Sequence, residues 1–101
     1  MEQTKVVNLA GRPSKTLNPN EVYIGRRQTQ GGWDLPDSPW ANPYPVKTYG
    51  RDECLILYRD MIQRNPEMMK RLEELRGKTL ACWCHPQPCH GDILIELMNK
   101  Q

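Results

Sequence analysis

The apolar positions change period several times along the chain, and each change predicts an element. Lys5-Val-Val-Asn-Leu9 is a short β-branched run that predicts a strand. Gly11 to Asn20 holds Gly, Pro, Asn and Ser and reads as a loop. Glu21-Val-Tyr-Ile-Gly25 is a second strand, rich in residues that suit a half-buried sheet. From residue 28 to 50 the pattern is irregular. Pro36, Pro39, Pro43 and Pro45, flanked by Gly31, Gly32 and Gly50, exclude a regular helix or a central strand. Trp33, Trp40 and Tyr44 fall in the same stretch, which makes an ordered lid or binding loop the expectation.

At Arg51 the period becomes helical. Cys54, Leu57, Tyr58 and Met61, with Ile62 beside them, lie on one helix face. Asp52 and Glu53 suit the first turn and Arg64 the last. Asn65-Pro66 predicts the N-cap and first position of a second helix, with Met68, Met69, Leu72 and Leu75 inward and Gly77 as its stop. Lys78 to Cys84 predicts a buried strand, and Pro86 and Pro88 break it. A last helix starts near His90 and carries Ile93, Leu94, Leu97 and Met98. The order β-β-α-α-β-α predicts an α/β fold: a small layered sheet of three or more short strands packed by about three helices.

Length and composition fit that picture. The 101 residues suggest one domain over 1–101, with no internal repeat. Hydrophobic residues make up 38% and Phe is absent, so Leu, Ile, Met and three Trp must fill the core. The net charge of +2 is too small to argue for nucleic acid by itself, which stays open as a partner that the charge does not indicate. The excess sits in residues 1–50, with six Lys and Arg against four Asp and Glu. The sequence has neither an apolar run of membrane-spanning length nor the apolar core of a signal peptide, so the expected compartment is the cytoplasm. Cysteines stay reduced there and must serve as core residues, metal ligands or reactive thiols.

Three of the four cysteines and both histidines cluster in Leu80-Ala-Cys-Trp-Cys-His-Pro-Gln-Pro-Cys-His-Gly-Asp92. Strand alternation sends Cys82 and Cys84 to one face and Trp83 to the other. Cys82 lies inside the run and reads as core. Cys84 stands where the strand ends, and Cys89, His90 and Asp92 stand where the last helix begins. Unpaired backbone N–H groups at such a start favour an anion or a thiolate. Cys84 and Cys89 are therefore candidate nucleophiles, with His90 and Asp92 as acid–base candidates. A zinc site would draw on Cys82, Cys84, Cys89 and His90, with His85 as a further donor. The C-x-C-x4-C-H spacing differs from the C-x2-C pairs of most closed tetrahedral sites.

A second constellation lies upstream. Gly25 at a strand end permits close approach to the backbone, and Arg26 offers a fork for phosphate. Arg27 reads as its solvated neighbour. Trp33 and Trp40 could stack a base or simply close a core that has no Phe, and Asn42 could read a base or sugar edge. In α/β layers, ligands gather at the carboxyl ends of strands beside helix N-termini. If the second and third strands run parallel, both constellations meet at one site.

Val22-Tyr-Ile-Gly-Arg26, Ser38-Pro-Trp-Ala-Asn-Pro-Tyr44, Leu75-Arg-Gly-Lys78 and Leu80-Ala-Cys-Trp-Cys84 with Pro88-Cys-His-Gly-Asp92 together resemble domain of unknown function 4326, found in bacteriophages and bacteria. The resemblance covers about Val22 to Leu97. It implies importance for Gly25, Arg26, Trp40, Asn42, Pro43, Cys82, Cys84, Cys89, His90 and Asp92 without giving them chemical roles. The leading expectation is a pocket for a nucleotide or similar phosphorylated ligand, with thiol or acid–base chemistry open and no cofactor required. One alternative is a structural zinc-binding adaptor. Another is a non-catalytic phage accessory protein, in the host cytoplasm, that sequesters a signalling nucleotide or binds a host protein.

Overall fold

The computed structural model describes residues 4–83 and 89–100. Within them, three short parallel strands form one sheet: β1 (Lys5–Asn8), β2 (Glu21–Tyr23) and β3 (Thr79–Cys82). Their order is β1-β3-β2, so the last strand in the chain is central. Leu80 pairs with Val6 on one side and Val22 on the other. All four β3 residues are buried, as expected of a central strand covered on both faces.

Among the described residues four helices accompany the sheet: α1 (Val46–Tyr49), α2 (Arg51–Gln63), α3 (Pro66–Arg71), continued by a 3-10 turn over Leu72–Leu75, and α4 (His90–Asn99). The expected α/β architecture holds, with one element added. Residues 28–50 are not irregular throughout, because α1 occupies their end. Pro45 stands at its N-cap with φ −68°, the Val46–Tyr49 segment contains no further proline, and Gly50 at φ +81° separates α1 from α2. The expected cap of α3 is present: Asn65 Oδ1 accepts from the backbone N–H of Glu67 at 3.1 Å and of Met68 at 3.2 Å. β3 ends at Cys82, and Cys84, the expected strand end, lies outside the described residues.

Strand alternation divides the interior in two. Val6, Ile24, Leu80 and Cys82 pack with Tyr58, Ile62, Leu72, Leu94 and Leu97 on the helix-covered face. Leu9, Tyr23 and Ala81 pack with Trp33 and Leu35 on the other, and Trp83 joins that side. Tyr58 is fully buried, yet its hydroxyl is satisfied by donating to Trp40 O at 2.7 Å. That bond ties the Pro-rich loop to α2. Among the described residues no helix is long and apolar enough to cross a membrane.

Candidate functional site

Because β2 and β3 run parallel, their carboxyl ends emerge side by side, and α4 begins next to them. His90, the first residue of α4, reaches back to the end of β2. Its Nε2 lies 2.6 Å from Ile24 O. A carbonyl oxygen only accepts, so Nε2 carries the proton and neutral His90 presents a bare Nδ1. Nδ1 lies 3.6 Å from Cys89 Sγ. Burial holds the imidazole below its ordinary pKa, and the nearby Arg26 charge pushes the same way, against the His90–Ile24 bond and Asp92. The ring meets the Tyr58 ring edge to face at 5.1 Å.

Cys89 caps α4. Its sulfur accepts from the backbone N–H of Gly91 at 3.4 Å, and its own N–H donates to Asp92 Oδ2 at 3.0 Å, a reciprocal capping box. Cys82 Sγ lies 3.1 Å from Cys89 Sγ, well beyond a disulfide bond length. α4 approaches the sheet this closely because of Gly91. A Cβ there would stand 2.9 Å from Ile24 Cδ1 and 3.0 Å from Val6 Cγ2.

In front of this corner lies a cleft of about 490 Å³, within the range of small-molecule sites. Gly25, Arg26, Asn42, Cys82, Cys89 and His90 all line it, so the structure unites most of the two predicted constellations. Arg27, Lys47 and Arg51 line it too, and no Asp or Glu does among the described residues. Arg27, expected as a solvated neighbour, is exposed but belongs to the wall. Among the described residues, Arg26, Arg27 and Lys47 form no ion pairs with acidic side chains. Arg26 is steadied by Nε donating to Asn42 O at 3.0 Å.

Other predicted residues take different places. Trp33 and Trp40 do not line this cleft; they are buried, on opposite faces of the sheet. Asn42 uses its side-chain oxygen to accept from Tyr44 N–H at 2.8 Å, shaping the turn across Pro43. The approach at Gly25 is made by a protein group, since a Cβ there would meet the Tyr23 hydroxyl at 2.6 Å. That hydroxyl donates to Arg26 O and accepts from Trp83 Nε1 at 2.9 Å. Asp92 acts as a cap. Cys84 and His85 lie outside the described residues. Among the described residues no three His, Cys, Asp or Glu side chains are grouped to hold a metal ion.

The chain matches the family model described as domain of unknown function over residues 7–100. It belongs to the DUF4326 family. Two relatives of the chain are viral proteins. The chain is 38% identical over 87 residues to an uncharacterized protein of Acanthamoeba polyphaga mimivirus, covering 76% of this chain and 65% of that protein. It is 38% identical over 65 residues to an uncharacterized 12.4 kDa protein from the nrdA-td intergenic region of Enterobacteria phage T4, covering 60% of each. The chain therefore spans less than two thirds of either relative. No solved structure matches it. The family match includes every cleft residue named above.

Sequence reasoning missed Trp83, Tyr44, Lys47, Arg51 and Cys54 as cleft residues. Arg51 carried a signal. It stands at the first position of α2, where the helix dipole favours the acidic Asp52 and Glu53 and disfavours a cation. A residue that breaks a local rule at a helix start is a reason to look for a ligand.

Proposed function

We propose that this cleft binds a phosphorylated small molecule, and that a nucleotide is the class it suits best. The observation that carries the reading is the charge of the wall: Arg26, Arg27, Lys47 and Arg51 with no acidic lining residue among those described. The cleft also opens where parallel strands end and α4 begins, the usual place for phosphate in α/β layers. Trp83 and Tyr44 offer aromatic surface to a base in place of the buried Trp33 and Trp40. A reducing compartment, such as a host cytoplasm, would keep the cleft thiols reduced.

The test is a calorimetric and tryptophan-fluorescence titration of the intact protein with the four ribonucleoside monophosphates. The expected result is saturable binding by at least one, weakened by about tenfold or more in Arg26→Glu and in Lys47→Glu and weakened by added salt. Absence of heat and of fluorescence change with all four would overturn the reading.

A further inference from the structure

We infer that Cys89 is the nucleophile of the cleft and His90 Nδ1 its base, acting on an electrophilic carbon of a bound phosphorylated ligand. The inference rests on the anion-binding reading of the cleft and adds a reacting atom to it. Cys89, one of the two sequence candidates for thiol chemistry, has its partners among the described residues. Its sulfur is 3.6 Å from a nitrogen whose ring partner is committed to Ile24 O, so that nitrogen can take the thiol proton. The same sulfur receives the Gly91 N–H at 3.4 Å, a donor that favours the anion once formed. Cys89 and His90 both line the cationic cleft. Cys54 is also buried and lines the cleft, with its thiol turned to Arg51 O at 3.2 Å; the Cys89 thiol faces Cys82 Sγ at 3.1 Å as well as His90 Nδ1 at 3.6 Å, so only Cys89 has a ring nitrogen beside it among these two. Among the described residues, the charged and titratable groups facing the pair include Arg26 just past β2, Asp92 from α4, Tyr58 from α2 and Cys82 from β3.

The step balances without an outside oxidant. Nδ1 takes the Cys89 proton. The sulfur forms a bond to the ligand carbon, and the bond to the leaving group breaks with its electron pair on that group, which then takes the proton from Nδ1. A water molecule reverses the sequence: it gives a proton to Nδ1, its oxygen bonds to the carbon, the C–S bond breaks with its pair on sulfur, and the thiol is re-formed. Burial keeps His90 neutral and so able to accept a proton near neutral pH.

Bromoacetol phosphate tests this directly, because it joins a phosphate to a carbon that loses bromide to a thiolate. The readout is the rate and position of labelling in the full chain, by mass spectrometry and peptide mapping, with neutral bromoacetone as the comparison. We expect Cys89 to be labelled first, about tenfold or more faster by the phosphate reagent than by bromoacetone, and inorganic phosphate to slow it. Selective labelling of Cys89 at equal rates by both reagents would keep the nucleophile and remove the anion site. First labelling at Cys84, Cys82 or Cys54, or labelling only in denaturant, would overturn the assignment. His90→Gln should slow Cys89 labelling about tenfold. A pH–rate profile of the unaltered protein provides a second test that needs no substitution. An assisted thiol reacts at a nearly constant rate from pH 8 to 6.5. A rate rising tenfold per pH unit towards about 8.5, the ordinary thiol range, would remove the base.

Discussion

Gly91→Ala sets two opposing effects against each other at the point where α4 meets the sheet. Alanine is the better helix former, by up to about 1 kcal/mol in a helix interior. Gly91 lies in the first turn, next to the cap, where less of that gain is realised. Against it stand two side chains, one from within β1 and one just past the end of β2. The new Cβ would be 2.9 Å from Ile24 Cδ1, 3.0 Å from Val6 Cγ2 and 3.5 Å from Val6 Cγ1, whereas carbon atoms prefer roughly 3.5–4.0 Å. Ile24 and Val6 are buried in the same cluster as Leu94 and Leu97, so neither can retreat into solvent. Overpacking of this kind costs about 1–3 kcal/mol, and a net loss of about 1 kcal/mol or more follows. In urea unfolding, the midpoint should fall by roughly 0.5–1 M with the slope unchanged. Trimming the obstacle in the Val6→Ala, Gly91→Ala double variant should give a loss smaller than the sum of the two single losses. A Gly91→Ala midpoint equal to or above that of the parent would refute the account of how α4 is seated.

Two further outcomes follow from buried polar groups. Tyr58→Phe removes the donor to Trp40 O and leaves that carbonyl without the bond, so stability should drop by about 1–3 kcal/mol in chemical denaturation, with little change in volume. Acid should act through His90. Its native pKa lies below the ordinary 6.5, so the unfolded chain binds the extra proton first, and stability falls as pH drops below about 6.5 towards the native value. The limiting slope is roughly 1.4 kcal/mol per pH unit, measurable as the pH dependence of the urea midpoint. Glu21 and Glu73 have pKa values lowered from an ordinary 4.5, so their losses come at lower pH. A flat profile from pH 7 to 5 would contradict a neutral, buried His90.

The elements were legible where the pattern was long or well punctuated. The recurrence of Ile93, Leu94, Leu97 and Met98 announced α4, and Asn65-Pro66 marked the start of α3. α1 was hidden because four helical residues beside Pro43 and Pro45 give no period to read. Strand direction is absent from a single sequence, so the meeting of Arg26 with Cys89 and His90 could be stated only as a condition on parallel pairing. Trp33 and Trp40 show the limit most clearly. A tryptophan that stacks a ligand and one that seals a core look alike in sequence, and here core burial won. The cap formed by Asp92 was likewise indistinguishable from an acid–base role until its partner, the Cys89 N–H, was located.

The strand order has a consequence for how the chain acquires its structure during synthesis. β1 and β2 are made before β3, yet neither is the other's neighbour; among the described residues each pairs with β3 alone. A nascent chain that ends before Thr79 therefore contains both outer strands and none of the ladder. Their hydrogen-bonding edges must wait for Thr79–Cys82 to leave the ribosome. β1 then closes a loop of more than seventy residues in a single pairing event, the kind of distant contact that slows folding. The segment that supplies Cys82, Cys89 and His90 is thus also the one that completes the sheet, so the cleft and the fold come into being together.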